Sequence, residues 1–404
     1  MTDAARPSSG GTAPPLRRAA IATAVVFGLN AFLMAGWVVR LPATRDRLHA
    51  DPAQLGIALL MLGLGSLVAM PWTGRLCARY GSRRIVTVML VPSCGALVVL
   101  AHLPTVSATG AGLFVLGAGY GSWDVAMNVQ ASGVDRAVGR DLMPRYHGCW
   151  SLGGFVGAGF GTAAAAVGLS SSVHFAVVAV VVAVGVLVAL RWFLPDARAT
   201  PAAPARSRQR VLLTRRLVLI GVVTLCATCI EGAAADWLAL YLHDGRSTGQ
   251  AAAAAGFAVF SVAMAVSRFG GTTTIEHLGR AGAVRLGGLL AGLGVLATVA
   301  APGVVGAFVG AAAWGAGVAV VFPAAMSAGG ETPGRGAEGI ATVATIGYGG
   351  FLLGPPLIGL LAQHVGLGSA LLVLLVLAAG AVALAPAVRP PAREPAGSVG
   401  RSAA

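Results

Sequence analysis

GRLCARYGSRR, Gly74 to Arg84, separates two almost wholly apolar runs, Leu55–Trp72 and Ile85–His102. Each run is close to the ~20 residues that cross a bilayer as a helix. Arg75, Arg79, Arg83 and Arg84 crowd into the short connection. Basic residues in a short loop between apolar runs hold that loop on the cytoplasmic side of a membrane. The rest of the chain repeats this arrangement.

Twelve spanning segments are predicted. The first six are Ala19–Leu41, Leu55–Trp72, Ile85–His102, Thr109–Ala131, Tyr146–Val167 and Val173–Leu194. The second six are Leu217–Leu242, Ala251–Phe269, Ala283–Ala301, Val304–Ala328, Ile340–Ala362 and Leu367–Val388. With the N-terminus inside, every arginine but Arg40, Arg45, Arg47 and Arg246 falls to the same side as the Gly74 loop, Arg268 among them. Both termini are therefore expected in the cytoplasm and the chain in the plasma (inner) membrane.

Composition agrees. Of 404 residues, 56% are hydrophobic and 10% charged, with a mean hydropathy of +0.81. Soluble domains carry about 25% charged residues. The net charge of +14 does not indicate nucleic acid, because all basic residues are arginines clustered between apolar segments. The five cysteines lie in or beside those segments and form no disulfide framework; Cys226 and Cys229, inside one apolar helix, read as small packing residues.

A Pro/Ala/Arg-rich stretch from Pro195 divides the segments into two sets of six. The expected divisions are a tail at 1–16, a bundle at 17–195, a central loop at 196–213, a second bundle at 214–388 and a tail at 389–404. The two sets match at a near-constant offset: Trp37 with Trp237, Gly81 with Gly279, Pro104 with Pro302, and Gly117-Ala-Gly119 with Gly315-Ala-Gly317. Parallel six-helix repeats are a transporter architecture.

The Gly74 loop resembles the signature loop of the major facilitator superfamily, through Gly74, Arg79, Gly81 and Arg83. The resemblance extends over residues 17 to 390. It implies an all-α membrane fold of two pseudo-symmetric six-helix bundles, with helices 1, 4, 7 and 10 lining a central cavity. The acid usual in this loop is Ala78 here. The second copy, TTTIEHLGR (Thr272 to Arg280), keeps an acid at Glu276, which is expected to carry part of the gating role. Gly36-Trp37 with Arg40-Leu-Pro42, Trp123-Asp124 with Asn128, His147 with Trp150-Ser151, and Glu231 with Asp236-Trp237 resemble the YbjJ-like branch, related to the fucose permease group of proton-coupled sugar symporters. Segment 4 bears an acid where drug/proton antiporters bear a basic motif, and segment 5 has Ala158 where their glycine pattern has proline.

Charged residues inside a bilayer are costly and normally face a cavity or a partner. Asp124 and Asn128 lie one helical turn apart on segment 4, on one face. Asp124 and Glu231, which has no partner evident in the sequence, are the expected proton-coupling acids, with His147 as a candidate relay. Asn30, Asn128, Trp123 and Trp314 are candidate solute contacts. Arg40 and Asp236, at similar depth on segments 1 and 7, are expected to pair as an outer gate.

No metal-ligand spacing, catalytic triad or other cofactor motif is seen, and a chain without lysine cannot hold a P-loop. The expected function is secondary active transport, not catalysis: a small solute, such as a sugar or related metabolite, moved with protons across the bilayer by a monomer. Efflux by proton antiport and a non-transporting receptor or scaffold on the same fold stand as alternatives.

Overall fold

The computed structural model describes residues 14–50, 52–195, 214–248 and 250–390. The predicted central loop, most of the predicted N-terminal tail and nearly all of the C-terminal one lie outside them.

The N-terminal half has α1 (Pro14–Val39), a short α2 (Leu41–Leu48), α3 (Pro52–Tyr80), α4 (Ser82–Leu100), α5 (Val106–Val138), α6 (Met143–Ala166) and α7 (Ser171–Ala189). The C-terminal half has α8 (Arg215–Ala233), continued by π-helical turns as far as Gly245, then α9 (Gln250–Ala300), α10 (Gly303–Val318), α11 (Val321–Gly330), α12 (Gly336–Val365), α13 (Leu367–Leu371) and α14 (Val373–Leu384). α9 is two crossings joined at Gly279, the one residue inside it whose backbone is non-helical. α10 and α11 form one crossing, as do α13 and α14. Among the described residues this makes twelve crossings in two six-helix bundles.

Among the described residues, length and hydropathy alone pick out nine stretches able to cross a membrane. They count α9 as one and pass over α5 and α6, whose apolar character is diluted by residues such as Asp124, Asn128, His147 and Trp150.

Polarity is arranged inside out relative to a soluble protein. Val91 and Val305 are 74% and 78% exposed, whereas Asn30, Asp124, Asn128 and Arg268 are buried. An apolar perimeter suits hydrocarbon, and helices suit it because each backbone group is paired within its own segment.

Most of the signature stretch is helix. α3 runs to Tyr80, so Arg75 and Arg79 stand on a helix that extends past its apolar part, and the turn falls on Gly81 alone. Gly81 has φ 86° and Gly279 φ 67°, a region that costs glycine little and other residues more. The two copies thus turn at matching residues.

Close packing repeats as well. A Cβ on Gly117 would stand 2.0 Å from the Leu62 carbonyl oxygen, and one on Gly315 would stand 2.2 Å from that of Phe260. Leu62 and Phe260 are separated by the same 198 positions as Gly117 and Gly315. Small residues allow such backbone approach in membrane bundles. The fourth crossings differ. α5 is unbroken, while its counterpart is divided into α10 and α11 at Ala319–Val320, because Pro323 has no N–H for the Ala319 carbonyl and its ring crowds that group.

Gly117→Val and Gly315→Val are expected to lower the apparent Tm in detergent strongly, by an overpacking cost of about 1–3 kcal/mol or more. Gly95→Val, where a Cβ meets nothing within 4 Å, is expected to leave it nearly unchanged.

Candidate functional site

Two groups of polar residues lie between the halves, one deep in the bundle and one at the arginine-rich face.

The deep group is built around Arg268. α9 continues to Gly279, about ten residues past Arg268, which therefore sits ~15 Å inside its helix and is 2% exposed. Its Nη2 donates to both carboxylate oxygens of Glu231 on α8, each at 3.1 Å. Its Nη1 donates to the Ser151 hydroxyl on α6 at 2.6 Å, crossing from the C-terminal half to the N-terminal half. The guanidinium lies 5.9 Å from the centre of the Trp150 ring, within cation–π range. Trp150 in turn donates its Nε1 hydrogen to Asn30 Oδ1 on α1 at 3.1 Å. Arg268 Nε and Asn30 Nδ2 are buried donors without an acceptor.

Beside this lies Asp124. Asn128 Nδ2 donates to its backbone carbonyl at 2.9 Å and its Oδ1 at 3.4 Å. The Asn128 amide oxygen faces His147 Nε2 at 3.3 Å. With the Asn128 nitrogen turned to Asp124, the histidine nitrogen is the donor in that contact. His147 is wedged edge-on between Phe27 at 5.1 Å and Phe322 at 5.2 Å. Tyr348 of α12 faces the Asp124 carboxylate from the other half, but Asp124 Oδ2 has no bond of hydrogen-bond geometry. Asp124 is 3% exposed and has no ion-pair partner among the described residues.

At the arginine-rich face the halves are locked together. Arg280, directly after Gly279, pairs with Asp141 of the N-terminal half at 2.8 Å and Glu331 of its own half at 2.7 Å. Arg140 pairs with Glu276 at 2.7 Å, and that bond holds the Glu276 carboxyl below its usual range. Arg136 Nη1 donates to the Gly330 carbonyl at 3.2 Å. Gly74 lies so close to α12 that a Cβ there would be 2.7 Å from the Ala337 oxygen.

The sequence pattern of the Major Facilitator Superfamily matches residues 19–344. This chain belongs to that superfamily. The transporter y4wD of Sinorhizobium fredii, itself uncharacterized, is 34% identical over 90% of this chain and 96% of the relative. An uncharacterized MFS-type transporter of Yersinia pestis is 32% identical over 90% of this chain and 95% of the relative. The membrane protein MosC of Rhizobium meliloti is 30% identical over 89% of this chain and 88% of the relative. The solved structure of the transporter FucP in the outward conformation superposes with a TM-score of 0.78 at 16% identity, over 91% of this chain and 98% of that one. The human organic anion transporter MFSD10 gives 0.76 at 16%, over 92% and 100%. The protein is a multi-pass membrane transporter on the major facilitator fold.

On that fold the residues singled out in the sequence take distinct places. Asp124, Asn128, His147, Asn30 and Glu231 gather in the deep group. Trp123 is fully buried, with its Nε1 unpartnered. Trp314, also fully buried, donates to the Ile230 carbonyl at 3.2 Å and packs edge-on to Phe260. Arg40 and Asp236 form no ion pair here: Arg40 is 6% exposed with Nε and Nη2 unpartnered, and Asp236 is exposed. Arg79 stacks over Tyr80, and Arg83 is exposed. Read from sequence, Glu231 has no partner and Arg268 counts with the arginines of the inner face; the structure corrects both, because α9 runs on well beyond its apolar part. Arg268, Ser151, Tyr348 and the Arg280–Asp141–Glu331 cluster are absent from the sequence-based candidates. The legible signal for the cluster is the placing of acids among arginines just past segments 4 and 10, Asp135 and Asp141 after one and Glu331 and Glu338 after the other.

Arg268→Ala strands the Glu231 carboxylate and is expected to destabilise the protein by about 3–5 kcal/mol. The neutral pair Arg268→Gln with Glu231→Gln is expected to lose clearly less. Thermal unfolding of the single and double variants checks this; equal losses would show the pair to be uncoupled.

Proposed function

We propose that this transporter moves a small polar solute, a sugar or related metabolite, together with protons across the plasma membrane by alternating access. Its arginine-rich face lies in the cytoplasm, as short basic loops favour. The observation that carries the reading is Asp124, a carboxyl enclosed between the two halves with no ion-pair partner among the described residues. Burial without a counter-charge favours the neutral form of a carboxyl, so such a group takes up a proton when its surroundings are dry and releases it when they open to water. Glu231 differs, since Arg268 neutralises it; we assign that pair to solute contact and coupling, with Asn30 and Trp150. His147 joins Asp124 through Asn128 and completes the polar chain.

Arg280, Arg140 with Glu276, and the Gly74 contact form the inner gate in this reading. Arg40 and Asp236 form the outer gate, closed only when the inner one opens. That one of the solved structures sharing the fold is the Escherichia coli fucose:proton symporter, FucP, supports both the solute class and the coupling.

The test uses proteoliposomes carrying an internal pH dye, challenged with sugars, polyols and amino acids. A transported solute is expected to move protons with it, and to accumulate only when a pH gradient is imposed. Asp124→Asn is expected to lose gradient-driven accumulation while still exchanging labelled for unlabelled solute, because exchange requires no net proton movement. Accumulation that ignores the pH gradient in the wild type, or survives in Asp124→Asn, overturns the assignment.

A further inference from the structure

α1 and α7 leave a groove of about 470 Å³ between them on the outer surface of the N-terminal half. Its walls are Ile21, Ala22, Val25, Gly185 and Val188, with Arg18 and Trp192 at one end. That end is the arginine-rich one, where α1 begins and α7 finishes. At the other end the helices close up: a Cβ on Gly185 would stand 2.7 Å from Leu29 Cδ1. From Arg18 to Val25 the groove follows α1 for ~10 Å. It is an apolar slot with a cation at its mouth.

Comparison with the other half shows what is unusual here. Arg216 occupies the position 198 residues after Arg18. Its Nε donates to the Ala387 carbonyl at 3.2 Å and its Nη2 to that of Arg389 at 2.8 Å, so it ties the start of α8 to the chain end that follows α14. Arg18 makes no hydrogen bond or ion pair among the described residues. Arg17 precedes it and Arg191 precedes Trp192 in sequence, and neither 14–39 nor 171–195 contains an acidic residue, the next acid, Asp196, lying outside the described residues. Among the described residues the N-terminal half therefore presents a basic cluster without an acidic partner beside an apolar slot, at a depth where Trp192, 43% exposed, sits as interfacial tryptophans do.

We propose that this groove is a binding site for an anionic phospholipid, one acyl chain lying in the slot and the phosphate held by Arg18. Basic pockets between transmembrane helices select anionic headgroups, each arginine contributing about as much as separates two lipids fivefold in occupancy. The apolar slot supplies contact that a soluble phosphate lacks. The proposal is independent of the transported solute and of proton coupling.

The test is native mass spectrometry of the full-length protein released from micelles containing dioleoylphosphatidylglycerol or dioleoylphosphatidylcholine. The wild type is expected to retain phosphatidylglycerol in preference to phosphatidylcholine. Arg18→Gln is expected to retain phosphatidylglycerol about fivefold less, with phosphatidylcholine unchanged. Ile21→Trp, at a side chain already 53% exposed, fills the slot and is expected to displace the bound lipid while thermal unfolding confirms a folded protein. Equal phosphatidylglycerol retention by wild type and Arg18→Gln overturns the proposal. So does unchanged retention by Ile21→Trp, or equal retention of glycerophosphate, which has no acyl chain.

Discussion

Arg268 and Glu231 are held 3.1 Å apart deep in a bundle whose outer surface faces hydrocarbon, and neither could stay charged there alone. A buried ion pair seldom adds stability over an apolar pair of the same size, because desolvation offsets the attraction. Its effect lies in what breaking it costs. Glu231 ties Arg268 to α8, while Ser151 and the Trp150 ring tie it to the N-terminal half. Any motion that parts α6 from α9 must move the guanidinium off Ser151 or off Glu231. Because a charge left unpaired is so costly, the pair follows one half and the neutral Ser151 bond yields. The fixed charge of the site thus belongs to the C-terminal half, and the contact that must give way is the one between halves.

The arginine-rich face obeys the same rule with different parts. Arg280 is held by Asp141 on one half and Glu331 on the other, so opening that face leaves Arg280 one carboxylate. The Arg140–Glu276 pair is more exposed, at 47% and 39%; water replaces its lost partner readily, and exposed pairs contribute little. Of the two bridges, Arg280 sets the cost of opening. On the opposite side Arg40 and Asp236 stand apart, so the pairing between halves described here is confined to one face and the centre.

The crossings, the two-fold repeat and the depth of Asp124 are all legible in the sequence, because hydropathy and arginine placement respond to the bilayer directly. The matched glycines go further: Gly117 on Leu62 and Gly315 on Phe260 turn a numerical offset into the same contact made twice. The partner of Glu231 is illegible for a specific reason. Arg268 stands near the end of an apolar run, and hydropathy takes the end of such a run for the end of the helix. α9 instead continues through TTTIEHL, a polar stretch that stays helical to Leu278. The same error makes a loop of the Gly74 stretch. Pairing across the halves, as in Ser151–Arg268 or Asp141–Arg280, joins residues more than a hundred positions apart, and no local pattern encodes it.

The repeat also explains why the polar centre is lopsided. The position in the C-terminal half that corresponds to Asp124 is Phe322, 198 residues on. Both halves use this part of their fourth helix to reach the same side chain, His147. The N-terminal half does so through Asn128, one turn beyond Asp124, whose amide oxygen accepts from the histidine, and the C-terminal half through Phe322, packed edge-to-face with the ring. The two fourth helices thus meet one histidine through positions one turn apart in the repeat, Asn128 in one half and Phe322 in the other, while the side chains divide the work. One half supplies the polar chain that ends on a carboxyl, and the other the apolar wall that keeps water from it. A second acid at position 322 would bury a further carboxyl against His147 with no cation among the described residues paired to Asp124 to share, and burial there tolerates no such excess of charge.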